Sequence, residues 1–566
     1  MTDESPRRIV IVGGVACGPK AAARARRRDP DAEITLIEKG DCLSYAGCGL
    51  PYYIGGGVRA IDGLVSTTFG VMRDQRYFED YKGIHIRTRT LAEEIDRERC
   101  VLRVKDLGSG EVEEIPYDNL VLATGGSPIE LPVPGMDLGR VFSLHVPADA
   151  LRIRELVEAG DVDRAVLIGG GRVSHETSEA LFAHAVDSVI VELEDQILPD
   201  ALDPEMAALV AAELRANDAE IYTSEKTIRL EGNDQGDVCR VVTERQTIDA
   251  DMVLVAVGVR PNSELAQNAG LEITSSGAIA VDEYLRTSDP KIYAGGDCVE
   301  CPHLLAGESL YAPLGSTANR HGRIIGDNVT GGQEKFPGIV GTWGMKVMRI
   351  NVAATGWTER EARNRGRRVE TCLMPSPDHA HYFPGGKFLT IKMVVDSDSR
   401  KLLGAQVIGP GDVTKRIDIL ATALRFGATV DDVASLDLVY APPYSLAMDS
   451  VIHAANTIRN KLSGLVDSVT PLELRERVRA GEPVVVVDVR EPAEGEKSPI
   501  QGVDVQALPL GELRKRVNEL PRDKDLVCAC AIGTRGYEAA LTIRGAGFPR
   551  ALFLDGGVRV WEVLNG

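Results

Sequence analysis

Two stretches of this chain repeat one layout, and the repeat limits what the chain can fold into. Each runs from an apolar strand through a Gly-rich turn and a helix to a second strand that ends on an acid. The first is Ile9-Val-Ile-Val-Gly-Gly through Ile34-Thr-Leu-Ile-Glu38; the second is Ala165-Val-Leu-Ile-Gly-Gly-Gly through Val189-Ile-Val-Glu192. This is the pattern of a βαβ unit that binds a dinucleotide. Glycines let the backbone approach a pyrophosphate, the helix N-terminus supplies N–H groups and a positive dipole end, and the acid meets a ribose. Two dinucleotide-binding domains are therefore expected.

The remaining punctuation fits that expectation. Leu120-Val-Leu-Ala123-Thr124-Gly125 and Val253-Leu-Val-Ala-Val-Gly258 are matched strand–turn pieces, one closing each domain. Ile292-Tyr-Ala-Gly-Gly296-Asp297 then returns the chain to the first domain. From about Gly338 the pattern changes to alternating strands and two helices, near Ile417–Phe426 and Leu446–Arg459, an α+β module. A helix start, Thr470-Pro-Leu-Glu473, opens a last small α/β domain. The expected boundaries are 1–150 and 281–335 for the first domain, 151–280 for the second, 336–460 for the α+β module, 461–469 for a linker and 470–566 for the last domain.

Composition narrows the class. The formal net charge is −20, which disfavours nucleic acid, whose phosphates need a basic face. The N-terminal sequence has no apolar core of a signal peptide, and no run approaches the ~20 apolar residues of a membrane helix. A cytoplasmic enzyme is expected, with no membrane partner. Ten cysteines in 566 residues are too sparse for a disulfide scaffold, so each is a buried hydrophobe, a ligand or a nucleophile.

The first turn, Gly13-Gly14-Val15-Ala16-Cys-Gly18, carries Val15 where the fingerprint has its middle glycine, and Glu38 stands 20 residues beyond Gly18, at the ribose position. Asp297 would hold the ribityl or phosphate part of a flavin; otherwise it is a helix cap. The segment Ser44-Tyr-Ala-Gly-Cys48-Gly-Leu-Pro-Tyr-Tyr-Ile-Gly-Gly is too Gly-rich to be filler. A lone cysteine in such a turn, near a phosphate-binding helix, is expected to have a lowered thiol pKa. Cys42 reads as structural. Lys20, Arg24 and Arg27 form a basic stripe on the first Gly-turn helix, which is either a phosphate site or a solvated face. Cys298-Val-Glu-Cys301 has metal-like spacing, but no second ligand pair follows, and no metal is expected.

The second turn reads Gly169-Gly-Gly171-Arg172-Val-Ser174-His-Glu176. Ser174 replaces the third glycine, which mainly permits close helix–strand packing. Glu192 would accept from a free ribose 2′-OH, which favours NADH over NADPH; otherwise it is a solvated strand-end acid. In the last domain, Cys530-Ala-Ile-Gly-Thr-Arg535 follows a strand and opens a helix. Its N–H groups and Arg535 would cradle a thiolate, a persulfide or an oxyanion. Cys528 falls in the preceding strand and reads as core.

Together, Gly13–Gly18, Ser44–Gly56, Ala123–Gly125, Gly169–Gly171, Gly296-Asp297 and Tyr440-Ala-Pro-Pro-Tyr444 resemble the coenzyme A-disulfide reductase and persulfide reductase branch of the flavoprotein disulfide reductases, over about residues 8–460. Residues 470–566 resemble rhodanese through Val487-Asp-Val-Arg490-Glu491, the six-residue Cys530-to-Arg535 loop and Leu554-Asp-Gly-Gly557-Val-Arg-Val-Trp561. The resemblance implies an α/β chain of two Rossmann-like domains, an α+β dimerisation domain and a rhodanese domain. It implies FAD at the first Gly-rich turn, NADH at the second, and coenzyme A as substrate or bound ligand. It implies that Cys48 is the redox cysteine, that Tyr382 and Tyr440 approach the sulfur from the dimer partner, and that the chain is a homodimer. Arg172 departs from it, since the family usually has an aromatic or apolar residue there. Three activities stay open: reduction of persulfide or polysulfide, reduction of coenzyme A disulfide or NADH oxidation, and sulfur trafficking with a degraded nicotinamide site. Small thiols, persulfides and disulfides are the expected partners, with a sulfur-carrier protein a further candidate.

Overall fold

The computed structural model describes residues 6–565, and they fall into two compact units. One holds the chain through Leu193 together with Ser224–Ile339; the other holds Glu194–Thr223 together with the chain from Val340.

The first unit is built on the two repeats. In the first, strands lie parallel in the order Ile292–Ala294, Asn119–Leu122, Arg8–Val12, Glu33–Ile37 and His85–Arg87. The return strand pairs Ile292 with Leu120 and Ala294 with Leu122, as the matched turns require. In the second repeat, Asp187–Val191, Arg164–Ile168, Met252–Val255 and Val141–Phe142 form the same parallel arrangement. The central strands are apolar on both faces because helices cover both. Ile9, Ile11, Val166, Leu167, Val253 and Leu254 are fully buried. Each repeat also carries a three-stranded antiparallel meander, over 90–116 and 227–249.

In the second unit, an antiparallel sheet runs in the order Trp343–Val347, Ile350–Gly356, Leu402–Gly409, Phe388–Asp396, Val369–Pro377. Its two main helices are Thr414–Arg425 and Ser450–Leu462. The second starts four residues later than its apolar pattern suggests, because Asp449 caps it, accepting from the backbone N–H of Val451 and from Arg416. The last domain is a parallel sheet in the order Ser468–Val469, Ala551–Leu554, Asp525–Ala529, Val484–Asp488, Val505–Ala507.

Buried charge organises the second unit, which includes the segment Glu194–Thr223. There Lys392, 2% exposed, lies 3.0 Å from Glu205, 2.8 Å from Glu359 and 3.4 Å from Asp203. Asp203 also takes a 2.6 Å hydrogen bond from Gln406 Nε2. The stretch 461–469 is not a free linker. Lys461 ends a helix and donates at 2.7 Å to Asp555 and at 2.6 Å to the Thr371 carbonyl, docking the last domain on the α+β sheet. Burial alone would lower both ammonium pKa values, but the facing carboxylates hold Lys392 and Lys461 above the lysine range. Lys392→Met strands three carboxylates around a neutral side chain. It is expected to cost about 3–5 kcal/mol, because breaking a buried ion pair leaves uncompensated charge. Calorimetry reads this as an early transition, and an unchanged melting profile would refute it.

Candidate active site

The first Gly-rich turn can only be made by glycine at its start. Gly13 has φ +112, and a Cβ there would sit 2.0 Å from the Ala123 carbonyl oxygen; Gly169 takes the matching φ of +102 in the second repeat. Gly14 and Gly18 close the approach to helix Cys17–Arg28, and Val15 and Ala16 form its entry. The acid at the end of the second strand is fixed by the turn in both repeats. Glu38 accepts from the N–H of Gly14 and of Gly40, each at 2.7 Å, and Glu192 accepts from the N–H of Gly170 at 2.5 Å. Ser44 takes φ +48 and donates its N–H to the Gly14 carbonyl at 2.7 Å, tying the cysteine segment to the first turn. Ala123-Thr-Gly125 is stapled to Asn262: the Thr124 hydroxyl donates to the Asn262 carbonyl at 2.6 Å, and the Asn262 amide donates back to the Thr124 carbonyl at 2.9 Å. Gly258 holds φ +113 at the matching turn of the second repeat. Asp297 follows Gly296, and burial raises its carboxyl to about 6.

Cys48 sits in the short 3-10 turn Gly47–Gly49, directly ahead of helix Leu50–Ile54. Its residue is exposed, yet its thiol pKa is raised, first by burial, then by Glu176 and Asp297. Its own backbone N–H and Arg172 pull the other way. The lowered pKa expected from a turn beside a helix is thus not what the protein atoms produce: burial raises it first, and the charges of Glu176 and Asp297 add to that. Glu176 itself is raised to about 7, by burial first, against a hydrogen bond from Tyr52 and the charge of Arg172. Arg172 is half-buried, and its charge is felt by both Glu176 and Cys48. Gly171 caps helix Arg172–Phe182. Ser174 is fully buried there, and its hydroxyl has no hydrogen-bond partner among the described residues. The packing tolerates the missing third glycine.

The basic stripe is only partly open. Arg24 is held by a bidentate pair with Asp327, at 2.6 and 2.9 Å, and the stripe lies along helix Gly315–Asn328. Lys20 and Arg27 remain exposed, so two of the three cations of the stripe are open to solvent. Cys298 and Cys301 are buried, with the Cys301 sulfur 3.8 Å from His321 Nε2.

In the second unit, the Tyr382 and Tyr440 hydroxyls lie 3.3 Å apart, although 58 residues separate them in sequence. Both rings are exposed, beside exposed Val439 and Tyr444. In the last domain, Cys530 is fully buried at the end of strand Asp525–Ala529, and helix Thr534–Gly545 starts four residues later. Its carbonyl accepts from the N–H of Val558, and that of Ala531 from Arg559, which pins the loop to the C-terminal helix. Arg535 forms a bidentate pair with Glu494 at 2.6 and 2.7 Å. Its guanidinium is raised by Glu494 first and also by Cys530; Glu494 falls to about 2, chiefly through the bond from Arg535. Asp488 and Arg490 pair at 2.8 Å behind the loop. Tyr52 and Glu494 were not singled out in sequence. Tyr52 had a signal, since it stands one helical turn after Cys48; Glu494 had none.

Comparison with known proteins gives the family. Residues 7–322 match the pyridine nucleotide-disulphide oxidoreductase family, 343–451 its dimerisation domain, and 470–563 the rhodanese-like domain. The chain is 33% identical over 459 residues to an NAD(P)H coenzyme A polysulfide/persulfide reductase from Pyrococcus horikoshii, covering 81% of this chain and 100% of that one. Among solved structures, it is similar to an NAD-dependent persulfide reductase from A. fulgidus, with a TM-score of 0.93 and 43% identity over 98% of this chain and 100% of that one. It is also similar to reduced CoADR-RHD from Bacillus anthracis, with a TM-score of 0.91 and 34% identity over 99% of this chain and 98% of that one. The match over residues 7–322 and the identity to the Pyrococcus horikoshii relative thus place this chain in the pyridine nucleotide-disulphide oxidoreductase family.

Proposed function

We propose that this chain is an FAD-dependent, NADH-linked reductase of coenzyme A persulfide and related small persulfides, with coenzyme A disulfide as a second substrate. One observation carries the reading: the exposed Cys48, in the turn tied to the first Gly-rich turn, feels the charges of Asp297 of the first nucleotide domain and of Glu176 and Arg172 of the second. The first turn fits a flavin dinucleotide. Gly13, Gly14 and Gly18 would admit its pyrophosphate, Glu38 would accept from its ribose, and Asp297 with Gly296 and Ala123–Gly125 would hold the rest. When bound, that cofactor relays two electrons from a nicotinamide to a sulfur–sulfur bond.

The chain's own groups do the sulfur chemistry. Cys48, as thiolate, attacks the outer sulfur of a persulfide anion; the S–S bond breaks and the thiolate of coenzyme A leaves with the electron pair. Two electrons and a proton then cleave the Cys48 persulfide, releasing hydrosulfide and restoring the thiolate. The sum is persulfide anion plus NADH giving thiolate, hydrosulfide and NAD⁺. Cys530, in the N–H loop beside Arg535, accepts sulfane sulfur from a donor and presents it. Lys20 and Arg27 are the cations for the phosphates of coenzyme A. Anaerobic titration of the flavoprotein with NADH, then with coenzyme A persulfide, tests the reading: the flavin should bleach, then recover with one sulfide released per NADH. Recovery without sulfide would overturn it.

Glu192 decides the nicotinamide. Its carboxylate accepts from a free 2′-OH and repels a 2′-phosphate. NADH should bleach the flavin at least about tenfold faster than NADPH, from roughly 1.4 kcal/mol of discrimination. Equal rates would remove Glu192 from this role.

The assembly we propose is a two-fold homodimer, in which Tyr382 and Tyr440 serve the partner's Cys48. The matched dimerisation domain and the exposed aromatic cluster around these tyrosines support it. Sedimentation should give twice the chain mass of 60.9 kDa; an active monomer would refute it.

A further inference from the structure

Tyr382 and Tyr440 stand on two separate loops, and one buried arginine joins the bases of both. Strands Val369–Pro377 and Phe388–Asp396 form a hairpin, with Tyr382 in the loop between them. Asp378 closes that loop. Its N–H donates to the Lys387 carbonyl at 2.8 Å, and its Oδ1 accepts from the Lys387 N–H at 2.9 Å. Tyr440 opens the second loop, a turn in which the Ala441 carbonyl accepts from the N–H of Tyr444 at 2.9 Å and of Ser445 at 3.2 Å. Arg416 lies on helix Thr414–Arg425 and is 1% exposed. Its Nη2 donates to the Asp378 carbonyl at 2.7 Å and to Asp449 Oδ2 at 3.0 Å, and its Nη1 donates to the Asp412 carbonyl at 2.9 Å. The same Asp449 Oδ2 accepts from the Ser445 hydroxyl at 2.7 Å. Lys415, next on the helix, donates to the Tyr444 carbonyl at 3.4 Å.

These bonds close a ring. It runs from Tyr382 down its loop to Asp378, across Arg416 and Asp449 to Ser445, and up through Ala441 to Tyr440, whose hydroxyl meets that of Tyr382 at 3.3 Å. Both tyrosines are open to solvent, at 65% and 47% exposure, so burial of their own rings does not fix that meeting. The loop bases fix it, and those are tied through Arg416. A planar guanidinium can serve a carbonyl on one side and a carboxylate on another at once, which a lysine ammonium does less well. Asp449 answers it as an anion: burial pushes its carboxyl up, but Arg416 and then Ser445 bring it below the carboxylate range. We propose that Arg416 is a positioning residue for the tyrosine pair, setting the Tyr382 and Tyr440 loops in one frame so that the two hydroxyls act together. This rests on the reading that the pair serves the partner's Cys48.

The test uses the full-length, flavin-loaded enzyme, reduced by NADH and then mixed with coenzyme A persulfide in a stopped-flow cell. The rate of flavin reoxidation is read for wild type, Arg416→Lys, Tyr440→Phe and the double variant. Tyr440→Phe should slow it by about tenfold or more, the range of a lost hydrogen bond to a charged group. Arg416→Lys should slow it by a similar factor, since a displacement of ~1 Å can cost up to about 100-fold. The double variant should be no more than about twofold slower than the slower single one, because groups that act as a unit fail together. A merely structural defect would instead leave Tyr440→Phe its full factor in the Arg416→Lys background, and that result would overturn the proposal. A wild-type rate in Arg416→Lys with flavin bound would overturn it as well. Ser445→Ala covers the case in which Arg416→Lys does not fold, because it removes one bond of the ring and leaves the buried charges paired. It should slow reoxidation by about threefold or more and show the same loss of the Tyr440→Phe effect; full independence of the two would overturn the proposal. If Tyr382→Phe and Tyr440→Phe both reoxidise at the wild-type rate, the reading of the tyrosine pair fails, and the role of Arg416 with it.

Discussion

Cys48→Ser should keep its flavin and lose persulfide and disulfide reduction by at least about 10³-fold, the scale of removing a covalent nucleophile. The substitution changes one atom in the turn Gly47–Gly49, and it leaves Gly13, Glu38 and Asp297 in place to bind the cofactor. A serine hydroxyl at this position is neither a thiolate nor able to hold a sulfane sulfur. The thiols nearest to it in sequence and those after the return strand are poorly placed to substitute. Cys17 and Cys298 are fully desolvated, which raises their pKa values, and Cys301 is pushed up to about 12 by burial first. Cys42 is exposed, but burial of its sulfur, Asp41 and Glu38 all raise it. NADH should therefore still bleach the flavin of Cys48→Ser, and no sulfur substrate should restore it. Full turnover of coenzyme A persulfide or disulfide by this variant would remove Cys48 from the reaction.

Where function rested on a turn, the sequence carried it. The turn at Gly13 and the acid at Glu38 are readable because a strand end, a positive φ and a helix start must follow one another within a few residues. The second repeat, Gly169 to Glu192, confirms the grammar by using it twice, down to the bond from the following N–H to the acid. The return of Ile292–Ala294 to the first sheet was legible for the same reason, as its turn matches that of Leu120–Gly125. The Cys530 loop was legible too, because its N–H groups and helix N-terminus are consecutive in sequence.

What the sequence hid were pairings of charge between distant segments. Lys461 reads as the polar start of a linker, and only Asp555, 94 residues later, makes it a buried dock. Pro204–Arg215 reads as a helix of the second nucleotide domain, but Glu205 just inside it belongs to Lys392, 187 residues away. Arg24 looked like part of a phosphate stripe until Asp327, 303 residues on, accounted for it. Arg172 could be seen as a departure from the family pattern, but not as a charge felt at Cys48, 124 residues earlier. Local turn chemistry fixes where a nucleophile can be. Burial first, and then charges from distant segments, set its pKa, so the raised Cys48 value, against the expected lowering, falls in the part that sequence cannot supply.

Cys530→Ser separates the two sulfur sites. Cys530 and Cys48 lie in different units, each with its own activating groups. The loop around Cys530 is pinned by the N–H groups of Val558 and Arg559, and Arg535 is steadied by Glu494, whose carboxyl the bond from Arg535 holds well below the usual range. That arrangement suits a thiolate or a persulfide. Cys530→Ser should thus abolish thiosulfate- or persulfide-dependent sulfur transfer, by about 10³-fold or more, since the hydroxyl cannot bear sulfane sulfur. Its fold should survive, because Ser is close in size and the buried loop keeps its backbone bonds. NADH-driven reduction of coenzyme A disulfide should stay near wild type, because that substrate reaches Cys48 directly. Reduction of bulky or protein-bound persulfides should fall most, as these would need a relay from the last domain. The decisive comparison assays one Cys530→Ser preparation on both substrates. If both activities vanish with flavin still bound, Cys530 is part of the redox centre and the two-site model fails. If neither changes, the rhodanese-like domain takes no part in this chemistry.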